Sequence, residues 1–195
     1  MHKDNAIPIA HFVFQFITFM ELRDIKQQFY TYRNGMLSDR LRSSGDCHSV
    51  IFGLNLPQIV DIAKNIGQDK VLAEQLWANN TTRESRLLAP MIYPVADFTV
   101  ETAKIWVESL ENTEVVDVLC HRLMRKADYA EPLYKEYAEA DSDMLRYFAL
   151  RLALNLIVIG RLTDMDALHT IAEKERQRNC KLTQAVVASI LEEFE

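Results

Sequence analysis

Glycine and proline are scarce in this sequence, five of each in 195 residues. A phosphate-cradling loop or a dinucleotide fingerprint needs clustered glycines, and neither is present. HExxH and GxSxG are also missing, which excludes zincin and nucleophile-elbow chemistry. Cysteine is rare as well: Cys47, Cys120 and Cys180 form no ligand or redox spacing, so free thiols in a reducing cytoplasm are expected, with no disulfide framework. The pairs Cys47-His48 and Cys120-His121 invite a metal reading. Adjacent residues on a helix diverge by about 100°, and no second pair lies at ligand spacing, so no metal and no cofactor are expected.

Long apolar runs are lacking too. The first twenty residues, "MHKDNAIPIAHFVFQFITFM", carry Asp4 and no small-residue cleavage site, and they are too short to span a bilayer. Residues 1–19 are read as an extra helix or an upstream extension, and residues 20–195 as a single repeat domain. No membrane association is expected, and the location expected is cytoplasmic.

What is present is helical. Apolar residues recur at three- and four-residue spacing nearly throughout, which predicts an all-α fold. Helix starts follow from capping residues: Asn55 before Leu56-Pro57, Thr81 with Glu84, Thr99, Asn112 or Thr113, Ser142, and Thr163 with Asp166. Gly67 and Gly160 are stops. About ten helices result, with the second members of pairs near 82–93, 113–126, 142–159 and 182–194. Shifting the chain by 60 aligns Trp77 with Tyr137, Thr82 with Ser142, Arg86 with Arg146 and Ala89 with Ala149. An offset of 31 lays Thr82 on Thr113 and Arg86 on Asp117. A period near 30 predicts a solenoid of helical hairpins of the HEAT or armadillo kind. Trp77 and Trp106 are expected in its core.

The formal net charge is −6, but the charges are segregated. The second helices carry Arg83, Arg86, Arg122, Arg125, Lys126, Arg146 and Arg151 against four acids, whereas their partners carry three lysines against eight acids. If the second helices line a concave face, an acidic chain presents a basic groove to a polyanion. On the same helices, Asp117 sits among Val115, Val116, Val118 and Leu119. It is either a charge partner for an arginine of a neighbouring repeat or a catalytic carboxylate.

The segments "FGLNLPQIVDIAKNI", "LAEQLWANNTTRESRLLAPMI", "NTEVVDVL" and "SDMLRYFALRLAL" together resemble the bacterial DNA alkylation repair family, the AlkD-like alkylpurine DNA glycosylases. That resemblance implies HEAT-like repeats, a concave basic groove for duplex DNA, and excision of N3- or N7-alkylated purines without metal or organic cofactor. It places the family's carboxylate at Asp117, which would steady the developing oxocarbenium ion. The tryptophan four residues earlier falls on Thr113, and the groove arginine falls on Tyr147, one position after Arg146. The last helix, "QAVVASILEEF", has neither the tryptophan nor the cations of that family. The expectation is a duplex-binding protein with weak or no glycosylase activity, and whether it is an enzyme at all stays open, leaning to no. The alternatives are an active glycosylase with Tyr147 or Arg146 as helper to Asp117, and a protein-binding scaffold.

Overall fold

The computed structural model describes residues 22–195, and the reading of residues 1–19 lies outside them. Two compact units divide the chain at Ile92 and Tyr93. The first holds α1 (22–31), α2 (Gly35–Ser43), α3 (Leu56–Ile66), α4 (Lys70–Ala78) and α5 (Arg83–Ile92). The second holds α6 (Val100–Glu108), α7 (Thr113–Arg122), α8 (Ala130–Tyr137), α9 (Asp143–Val158), α10 (Met165–Arg178) and α11 (Gln184–Leu191), with short 3-10 turns at Val95–Asp97, Met124–Lys126 and Glu192–Phe194. The fold is all-α. Among the described residues the only β feature is one isolated bridge, Val50 to Thr82.

Several helix ends form as their residues predict. Asn55 Oδ1 accepts from Gln58 N and Gln58 Oε1 from Asn55 N, both at 2.9 Å, a reciprocal capping box at the start of α3. Thr99 caps α6, and Asn112, of the two candidates, caps α7. At the end of α9, Gly160 has φ +66; its N–H bonds Ile157 O at 2.8 Å and Arg161 N–H bonds Leu156 O at 2.9 Å, the double closure that a left-handed residue permits. Two starts differ. Asp164, not Thr163, caps α10, because Thr163 Oγ1 donates to Glu131 at 2.8 Å.

The box expected from Thr81 and Glu84 does not form either. Glu84 is fully buried, and its carboxylate accepts the backbone N–H groups of Phe52 (3.1 Å), Gly53 (2.9 Å) and Leu54 (3.3 Å) together with Arg83 Nη1 (3.0 Å). A buried anion is tolerable only with such a set of donors. The loop it holds runs against α2 so closely that a Cβ at Gly53, where φ is +80, would sit 2.2 Å from Asn34 O. Only glycine satisfies both constraints.

The hairpin period is explicit in the helix starts. α4, α6 and α8 begin at Lys70, Val100 and Ala130, and α5, α7 and α9 at Arg83, Thr113 and Asp143, a spacing of 30 in both series. The offset of 31 between the first two pairs is therefore corrected by one residue: Val116, not Asp117, shares the inward position of Arg86 and Arg146, and all three are buried. Within the second unit, consecutive hairpins are tied by pairs about one period apart, such as Lys104 with Glu136 (2.6 Å) and Arg146 with Glu175 (3.0 Å). The central helix there is α9, which packs against α6, α7, α8 and α11 and buries Phe148, Leu150, Leu152, Ala153 and Leu156. Trp77 and Trp106 are both core residues. Among the described residues no helix is long and apolar enough to cross a membrane.

Candidate nucleic-acid interface

A polar seam runs between α7 and α9. On α7 the cap at Asn112 turns Val115, Val116, Val118, Leu119 and Cys120 inward and leaves Asp117 and His121, four residues apart, on one edge. On α9, Tyr147, Arg151 and Asn155 repeat at the same four-residue spacing. Tyr147 Oη donates to Asp117 Oδ1 at 2.8 Å. Arg151 Nε lies 2.7 Å from the same oxygen, close enough for charge pairing, although its N–H is not aligned for a hydrogen bond. Asn155 Nδ2 donates to Arg151 O at 2.8 Å and its amide lies against the His121 ring.

The electrostatics of the seam follow from these neighbours. Burial, then the hydrogen bond to Asp117, pushes the Tyr147 phenol far above its ordinary range, so it serves as a neutral donor. Cys120 behind it is driven up by burial and by Asp117, which leaves an unreactive thiol. At the carboxyl-terminal end of α7 the sign of the charge reverses. Burial and then Arg125, Arg122 and Lys126 lower the pKa of His121, and burial followed by Arg125 and Arg122 lowers that of Lys126. These cations crowd one another. Among the described residues Arg122, Arg125 and Lys126 have no carboxylate partner, whereas in the same unit Lys104, Lys135, Arg146, Arg151, Arg161, Lys174, Arg176 and Arg178 each have one. A helix C-terminus favours one nearby cation, but it does not account for three that repel each other.

The other expected contact residues are interior. Arg83 is 3% exposed and donates to Leu54 O (3.0 Å) besides Glu84. Arg86 is 4% exposed; its Nη1 donates to Trp77 O at 3.1 Å and its guanidinium lies 3.6 Å from the Trp77 ring centroid. Arg146, 6% exposed, reaches Ala140 O and Asp141 O at 2.8 Å, Glu175, and Asp143. Arg86 and Arg146 thus do one job in two repeats, gripping carbonyls at the end of the preceding helix. That duty encloses their charge and takes them out of reach of a phosphate. As a helper to Asp117, Arg146 is displaced by Arg151, one turn beyond Tyr147.

Two further points differ from the sequence-based expectation. His121 and Asn155 belong to the seam, and the spacings 117–121–125 and 147–151–155 were the available signal. Asp46, Cys47 and His48 bring three possible metal ligands within 4.8 Å of one another, since they lie in a loop and not on a helix. Asp46 Oδ1 is already engaged by His48 N (2.9 Å) and Nδ1 (2.7 Å), an arrangement that orders the loop without an ion.

The family model described as DNA alkylation repair enzyme matches residues 25–194. The chain belongs to that family. No curated protein and no solved structure matches it.

Proposed function

We propose that this chain binds duplex DNA, alkylated or not, through the carboxyl-terminal cations of α7, and that its glycosylase activity is weak or absent. The observation that carries the reading is the unpaired trio Arg122, Arg125 and Lys126 in a chain of net charge −6. Mutually repelling cations without a carboxylate are stabilised by a polyanion, and a DNA repair family makes phosphodiesters the natural one. The weak-activity half rests on Asp117. A carboxylate that steadies an oxocarbenium ion has to offer its charge to the sugar, and here Arg151 and Tyr147 already engage it.

A second reading, an active alkylpurine glycosylase, is favoured by the partial exposure of that pair, 36% for the Asp117 side chain and 34% for Arg151. A phosphate that drew Arg151 away would bare the carboxylate. Two measurements separate the readings. Reversing Arg122 and Arg125 to Glu is expected to weaken duplex binding and flatten its salt dependence while the circular dichroism stays helical. Unchanged binding would sink the DNA reading and favour a scaffold for an acidic protein. Release of methylated purines by the parent protein would restore the enzyme.

A further inference from the structure

His121 is the seam residue that neither the Asp117 pair nor the cation trio accounts for. It is exposed at its edge, yet it stands between two electrostatic neighbourhoods. Asp117 lies one turn before it on α7; Arg122 follows it directly; Arg125 and Lys126 face it from the turn Met124–Lys126. From α9 it meets the Asn155 amide, while Arg151, the α9 cation nearest in register, is engaged by Asp117. Asn155 is 8% exposed and spends its Nδ2 on Arg151 O, so its orientation is fixed and the carbonyl oxygen is what it offers to the ring. An imidazole N–H pointed at Asn155 leaves the second ring nitrogen for the solvent side, where the cations gather.

We propose that His121 is a fourth phosphate ligand of the cation trio, donating from its outward ring nitrogen to a phosphate oxygen once the phosphate has neutralised Arg122, Arg125 and Lys126. This rests on the polyanion-binding reading and adds a residue and a proton to it. In the free protein three cations keep the ring neutral, and a neutral imidazole whose one N–H is given to Asn155 has no donor left for phosphate. Bound phosphate reverses the local field, the ring takes up a proton, and both nitrogens become donors. Asn155 acts as a positioning residue, and its carbonyl suits the protonated ring as well as the neutral one.

Linkage supplies the signature. Binding that raises the pKa of one group takes up protons, so affinity increases as pH falls through the interval between the free and the bound pKa, by up to about tenfold for each pH unit that this interval spans. The full chain should therefore bind a short duplex more tightly at pH 6 than at pH 8, at constant ionic strength. His121→Gln should show a markedly smaller gain, and Asn155→Ala should reduce it as well. An identical pH dependence in the parent protein and His121→Gln would overturn the inference and leave the DNA reading standing.

A second measurement holds whether or not duplex binds. The ring C–H resonance of His121, assigned by its loss in His121→Gln, is titrated with and without inorganic pyrophosphate. The midpoint is expected to rise with pyrophosphate, and the rise to vanish in Arg122→Gln/Arg125→Gln. An unmoved midpoint overturns the inference. A raised midpoint in a protein that binds no duplex supports the phosphate site and overturns the DNA reading alone.

Discussion

Asp117→Asn distinguishes a charge that holds two hairpins together from a charge held for catalysis, and its cost can be worked from the geometry. The substitution keeps an oxygen in place, so Tyr147 Oη retains an acceptor, but the bond changes from a charged to a neutral one. Charged hydrogen bonds contribute about 1.5 to 3 kcal/mol and neutral ones about 1, so this step costs about 0.5 to 1.5 kcal/mol. The lost attraction to Arg151 adds less than its 2.7 Å separation suggests, because both side chains are about one-third exposed and solvent screens them. Such pairs contribute about 0 to 1 kcal/mol, and the released guanidinium can turn to water. The expected destabilisation is about 1 to 2 kcal/mol, a fall in Tm of about 2 to 8 °C for a chain of this size.

Thermal and urea unfolding of the single variants and of Asp117→Asn/Arg151→Gln would yield the coupling directly, expected at about 0.5 to 1 kcal/mol. A loss above about 4 kcal/mol would mean that the pair behaves as a buried one. A gain in stability would mean that the carboxylate is poorly compensated in the free protein, as functional charges often are, and would refute the structural reading. Excision of methylated purines by the parent protein, lost in a stable Asp117→Asn variant, would do so as well.

Other consequences are structural. Glu84→Gln places an amide NH₂ among backbone donors and breaks the buried pair with Arg83; a loss of about 3 to 5 kcal/mol is expected by urea unfolding. Gly53→Ala meets both the positive φ and Asn34 O, for about 2 to 4 kcal/mol, and a neutral result would show that the loop at 50–54 is free to move. Arg146→Met strands buried Glu175 at a similar cost of about 3 to 5 kcal/mol, but should leave the salt dependence of duplex binding unchanged in whatever fraction remains folded. A changed salt slope would return Arg146 to the interface.

The class and the hairpin period were legible because they depend on local chemistry: few helix breakers, capping residues at Asn55, Thr99 and Asn112, and a left-handed stop at Gly160. What was not legible is where side chains go across repeats. Glu84 reads as a capping residue, since Thr81 stands three positions before it, yet its partners lie 30 to 32 residues earlier in a loop without secondary structure. Asp117 was misplaced by one position for a similar reason. Asn112 and Thr113 are both good caps, and the choice between them moves every later residue of α7 by 100° around its axis. Taking Thr113 sets Asp117 against two buried arginines, whereas the cap at Asn112 puts Val116 there and leaves the carboxylate at the edge to meet Arg151.

The same burial rescales the electrostatic case for DNA. The second helices carry seven cations against four acids, but Arg83, Arg86, Arg146 and Glu84 are interior, which leaves Arg122, Arg125, Lys126 and Arg151 against Glu114, Asp117 and Asp143. With Arg151 held by Asp117, about three cations remain for phosphates. Counterion release gives about −0.9 in the slope of log affinity against log salt for each phosphate neutralised, so duplex binding should show a slope of about −2.7, a loss of about fortyfold between 50 and 200 mM salt. In Arg122→Glu/Arg125→Glu one contact is left, and the slope should fall to about −0.9 or below. A parent slope steeper than about −5 would require cations beyond this patch, and the trio would then be one part of a larger interface. A slope near zero with measurable binding would place the attraction outside electrostatics altogether, which three unpaired cations on an acidic chain do not allow.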